Sequence, residues 1–132
     1  MTADLDFGYV PPGHLNEYWP QASDLLRPIL DKTGVSLDET LIDLRRQQAQ
    51  LWVAMGDTMK LALLTQAGDG NVHLWCLGGR EPKTWLHFIE VIKLAARHDG
   101  FQKLTIKSRR AWKRIFPDWE QVGDELEYDL WG

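Results

Sequence analysis

The sequence predicts an α+β fold: one mixed sheet, an antiparallel meander followed by a parallel crossover strand, with helices on both faces. Three observations carry this. Apolar residues recur at helical spacing up to about residue 48, then give way to short apolar runs broken by turn signals over 51–77. A strongly amphipathic stretch, 84–98, follows the third run. A strand pattern, 103–107, comes next, and a helix joining two strands of one sheet makes a right-handed crossover that sets them parallel.

Each element has a local cause. Tyr9-Val10-Pro11-Pro12-Gly13 excludes a central strand or a helix over 6–15 and leaves a short extended edge piece or a lead-in. Over 16–32, Tyr18, Ala22, Leu25, Leu26 and Ile29 fall on one helical face. Pro20 suits a first turn. Pro28 removes a backbone bond and predicts a kink or an early end. Gly34 closes the segment. Ser36-Leu37-Asp38-Glu39 reads as a capping box, and Leu37, Leu41, Leu44 and Gln48 carry a second helix over 37–48. The runs 51–55 and 59–66 are strands separated by Gly56-Asp57-Thr58, and Gly68-Asp69-Gly70 turns the chain into a third strand, 71–77. Thr84 caps a helix to about His98 with Trp85, Phe88, Ile89, Ile92, Ala95 and Ala96 as its buried stripe. Gly100 ends it. After the strand 103–107, Arg110–Phe116 is a short basic helix stopped by Pro117. The stretches 119–122 and 126–130 form a hairpin around Gly123-Asp124.

The length, 132 residues, suits one domain, 1–132, with a core of its own. A net charge of −4 excludes a generally basic nucleic-acid coat. A single cysteine, Cys76, excludes an internal disulfide framework and a zinc site of several cysteines. No apolar run approaches the ~18 residues of a membrane span. Met1-Thr2-Ala3-Asp4 lacks a signal-peptide core, so a protein that is not secreted is expected.

This element order resembles that of the Gcn5-related N-acetyltransferase (GNAT) superfamily. Leu51-Trp52-Val53, Cys76-Leu77-Gly78-Gly79, Trp85-Leu86 with Ile89-Glu90, Ala95-Ala96-Arg97 before Gly100, and Lys107-Ser108-Arg109-Arg110-Ala111-Trp112 carry a closer resemblance, to small GNAT-like proteins of tailed phages and prophages. The resemblance implies acetyl-CoA lying between two splayed parallel strands, its pantetheine on the strand 71–77 and its pyrophosphate on the loop 78–85. Cys76, Leu77, Gly78, Gly79, Arg80, Lys83, Thr84 and Trp85 are then the cofactor-binding residues. Unpaired N–H groups and the dipole at a helix start suit such an anion. The loop departs from the superfamily's spaced glycines, and Pro82 stands where a backbone donor would serve.

For catalysis, the superfamily often places a tyrosine acid on the short helix after the crossover strand. Here that helix carries Trp112 and Phe116 and no tyrosine. His73, on the strand nearest the implied acetyl group, is the candidate base, and Tyr128, in the closing strand, is the tyrosine able to approach from another element. Cys76 reads as a buried small apolar residue rather than a nucleophile. His87 and Glu90 share a helix face with no third ligand, so no metal is expected.

Charge is uneven: six basic and no acidic residues lie between Lys103 and Arg114, and six acidic and no basic ones between Asp118 and Gly132. The basic segment is a solvated face, a grip for CoA phosphates, or a surface facing acidic strands of a neighbour; the overall charge argues against nucleic acid. The missing tyrosine and irregular loop favour a phage or prophage protein with little or no catalytic activity. It would act in virion assembly or delivery, or through a phage or host protein partner, in the host cytoplasm or the virion. The alternative is an acyl-CoA-dependent N-acetyltransferase using the strand 71–77 and the loop 78–85.

Overall fold

The run Met59–Gly68 is apolar at most positions because the strand it forms is buried on both faces from Leu61 to Thr65. It lies inside one seven-stranded sheet of a computed structural model that describes residues 6–79 and 88–132. The elements are β1 (Asp6–Val10), a single 3-10 turn (Pro12–His14), α1 (Leu15–Thr33), α2 (Leu37–Arg45), β2 (Gln50–Met55), β3 (Met59–Gly68) and β4 (Asn71–Gly79). α3 (Phe88–His98), β5 (Lys103–Lys107), α4 (Arg110–Ile115), β6 (Glu120–Val122) and β7 (Glu125–Asp129) complete them. The sheet order is β1-β2-β3-β4-β5-β7-β6. β1 to β4 are antiparallel neighbours, β4 and β5 are parallel, and β7 is antiparallel to both β5 and β6. The mixed sheet, its meander and its parallel crossover are as the sequence predicts.

Alternation along the strands feeds two cores. Leu61 and Leu63 of β3 join Val72, Leu74, Ile89, Ile92, Leu104 and Leu126 under α3. Ala62 and Leu64 join Leu26, Leu30, Leu51 and Cys76 under α1 and α2. Helices therefore cover both faces.

Three expectations need correction. Pro20 lies inside α1, beyond the first turn of a helix that begins at Leu15. α1 runs through Pro28 to Thr33. The carbonyl that Pro28 deprives of a donor belongs to Asp24, and both residues are exposed, so water can serve it. α2 stops at Arg45 rather than 48. Gln47 takes φ 60, which no α-helix continues, and the Gln48 N–H closes onto the Asp43 carbonyl at 2.9 Å. At its other end the capping reading holds: Ser36 Oγ accepts from the Glu39 N–H at 3.0 Å.

Candidate functional site

β4 carries an irregularity that composition does not show. Leu64 pairs with Cys76 and Thr65 with Leu74, so Trp75 is an extra residue, a β-bulge. On its other edge β4 pairs with β5 only from Asn71–Lys103 to Leu74–Ile106. β5 meanwhile stays bonded to β7 from Lys103 to Lys107 and then leads into α4. The two parallel strands thus part at the bulge. Among the described residues no strand pairs with Trp75–Gly79 on that side.

A cleft of about 290 Å³ occupies the gap. His73, Trp75, Cys76 and Leu77 line it from β4, and Lys107, Arg109 and Trp112 line it from the end of β5 and α4. The structure so gathers His73, Cys76 and Leu77 of the residues chosen from sequence. Gly78 and Gly79 continue β4, and their packing role is direct. A Cβ on Gly78 would lie 2.3 Å from the Leu25 carbonyl oxygen of α1, and one on Gly79 would lie 3.0 Å from the Lys60 carbonyl oxygen. Arg80, Lys83, Thr84 and Trp85 lie outside the described residues, as does His87.

Tyr128 is placed elsewhere. It packs on the α3-side core, its ring 5.7 Å from that of Trp119 and 3.9 Å from Lys93 Nζ. Strand alternation sends Tyr128 to one face of the sheet, whereas His73 meets Glu125, three residues earlier on β7, on the other. The structure does not bring Tyr128 and His73 together.

His73 Nδ1 lies 2.7 Å from Thr105 Oγ1 and 3.3 Å from Glu125 Oε2. Sequence reasoning missed both partners. The alternation of 103–107 was visible, but not the register that sets Thr105 opposite His73. Trp75 was missed too. Its Nε1 is buried with no hydrogen-bond partner among the described residues, a cost of ~1–3 kcal/mol unless something accepts from it. Burial pushes the Cys76 thiol up to about 12, so it stays protonated at neutral pH and is no nucleophile.

The basic segment divides. Lys103 Nζ binds Glu127 at 2.9 Å, and that hydrogen bond raises its pKa, so part of the basic–acidic contrast is matched within the chain. Arg109, Arg110, Lys113 and Arg114 line an open basin with Gln121 and Asp124. Glu90 is held by Lys93 at 2.9 Å, and among the described residues no cluster of metal-ligating side chains occurs.

No protein-family model matches the chain, and no curated protein sequence does. Solved structures do. An aminoglycoside 6'-acetyltransferase type Ii superposes with a TM-score of 0.75 at 12% identity, over 95% of this chain and 97% of that one. PaiA N-acetyltransferase from Thermoplasma acidophilum, solved in complex with coenzyme A, gives 0.60 at 14% identity over 96% and 97%. Tetrahymena Gcn5 gives 0.63 at 9% identity over 96% of each chain. The fold is that of the GNAT acetyltransferases.

Proposed function

From a GNAT fold whose sheet parts at Trp75, we propose that the protein is an acyl-CoA-dependent N-acyltransferase with His73 as its base. The splay of β4 from β5 carries this reading. It leaves the backbone of Trp75–Gly79 open to an amide-bearing ligand that adds to the strand edge as another strand would. The orphan Trp75 Nε1 is a further donor, and Lys107 and Arg109 bring positive charge to the cleft wall. These features fit coenzyme A. Cys76, Leu77, Gly78 and Gly79 would hold its pantetheine arm, and Arg80, Lys83 and the N–H groups of Thr84 and Trp85 its pyrophosphate.

Bound acyl-CoA supplies an activated thioester. The chain's own work is to exclude water with Trp112 and Phe116 and to take a proton from the acceptor at His73. His73 also lines a groove with Gln66, Asp69, Asn71, Thr105 and Glu125. With two carboxylates and no lysine or arginine in its lining, that groove favours a cationic amine.

Calorimetric titration with acetyl-CoA tests the reading: saturable binding is expected, and its absence sinks it. The double change Arg80→Ala, Lys83→Ala should weaken binding by ~1–3 kcal/mol, the scale of lost charge-assisted bonds. His73→Ala should slow transfer about tenfold or more with folding intact. One observation favours a second reading. Trp112 of α4 and Phe116 just after it line the cleft where the GNAT likeness leads one to look for a tyrosine acid. A phage or prophage protein acting through a partner, binding acetyl-CoA without turnover, would show that outcome.

A further inference from the structure

We propose that Glu125 is the positioning residue for His73. It holds the ring as the Nδ1–H tautomer, so that Nε2 keeps the lone pair that accepts a proton. This rests on the acyl-transfer reading for its purpose but not for its geometry. Three strands build the arrangement on one sheet face: His73 from β4, Thr105 from β5 and Glu125 from β7. Thr105 is buried and faces His73 in register. Its Oγ1 lies 2.7 Å from Nδ1, and Glu125 Oε2 lies 3.3 Å from the same nitrogen.

The donor inventory decides the tautomer. A carboxylate only accepts, whereas a threonine hydroxyl can accept or donate. A lone pair on Nδ1 would add negative charge 3.3 Å from the Glu125 carboxylate and be disfavoured. A proton on Nδ1 donates to Thr105 Oγ1 at 2.7 Å and lies beside the negative charge of Glu125, whose Oε2 is 3.3 Å from Nδ1. The ring's second nitrogen then has no hydrogen and is the basic one. When the acceptor's ammonium gives its proton to Nε2, a neutral amine and an imidazolium result. The new positive charge sits beside Glu125, which needs no movement to meet it.

Other charged groups around His73 do not compete for Nδ1. Lys103, on the same face of β5, is bound to Glu127 at 2.9 Å. Asp69 shares the outer groove. Lys107 and Arg109 lie on the cleft wall. Among the described residues the His73 ring makes no hydrogen bond or ion pair besides those with Thr105 and Glu125.

The decisive readout is the imidazole nitrogen spectrum of the full chain, labelled with nitrogen-15, at a pH where His73 is neutral. The wild type should show Nδ1 protonated and Nε2 bare. Glu125→Ala should shift His73 toward the Nε2–H form, with Thr105 now donating to Nδ1. Glu125 is two-fifths exposed, so the variant should keep its thermal midpoint. With acetyl-CoA and cadaverine as probe substrates, Glu125→Ala should lower kcat about tenfold or more while KM for acetyl-CoA stays within about twofold. Glu125→Asp should restore part of the loss. A wild-type His73 that is Nε2–H, or a tautomer unchanged by Glu125→Ala, overturns the proposal. An Nδ1–H ring in a protein that gives no heat with acetyl-CoA separates the two readings: it overturns acyl transfer and supports the pairing.

Discussion

Burial pushes the Cys76 thiol up to about 12 from an ordinary value of 9.0, and this has two measurable consequences. Native protein at pH 8 should resist iodoacetamide, and the same protein in strong urea should react as a free cysteine does; fast native alkylation would place the thiol outside the core. The sign for stability follows from the raised value. The folded state holds this proton more tightly, so the contribution is complete below about 9 and is lost as pH rises from there toward 12. Cys76→Ala should flatten that alkaline decline in urea midpoints, and an unchanged slope would assign the decline to other groups. The inert character of Cys76 was legible in sequence because a lone cysteine in an apolar strand has no fixed base beside it. The separation of His73 from Tyr128 was not. Which face a strand residue occupies depends on parity, and parity relative to a neighbouring strand depends on the register of β4 on β5 and of β5 on β7.

At the scale of elements, the glycine pair shows how one motif supports two physical readings. In sequence Gly78-Gly79 closes a strand and opens a phosphate loop; in the fold β4 runs through both, and Gly78 lets the backbone of α1 approach. A Cβ there would lie 2.3 Å from the Leu25 carbonyl oxygen and 2.8 Å from its carbon, atoms of a helix backbone that cannot rotate aside. Gly78→Ala should therefore cost ~1–3 kcal/mol, as overpacking does. Gly79→Ala should cost less, because its contacts begin at 3.0 Å and include the flexible end of Leu61. Urea unfolding of both variants checks the order, and a Gly78→Ala protein as stable as the wild type would show that α1 shifts freely on β4. The ends of α2 and α1 teach the same lesson. Proline and spacing report local preference, whereas the early stop at Arg45 follows from a positive φ at Gln47 that leads the chain to buried Ala49.

Over the whole molecule, the period change at residue 50 and the crossover rule made the mixed sheet legible, since both depend only on local pattern and chain handedness. The splay of β4 from β5 depends on where hydrogen-bonded pairing stops, which no single segment encodes. The resulting architecture puts two cores on opposite faces of one sheet, and this predicts how the protein unfolds. β3 supplies Leu61 and Leu63 to the core under α3, and Ala62 and Leu64 to the core under α1. β4 likewise gives Leu74 to the first and Cys76 to the second. Neither core can dissolve while the strands that hold the other stay in register. Ile92→Ala, which empties a site 1% exposed under α3, and Leu26→Ala, which empties one 0% exposed under α1, should each cost ~2–5 kcal/mol. Each should shift one common transition. Helix content by circular dichroism and tryptophan fluorescence should move together, because a two-state chain shows coincident probes. If Leu26→Ala split the curve, with α1 and α2 melting while the α3-side fluorescence persisted, the two faces would be independent units and the shared strands would not couple them.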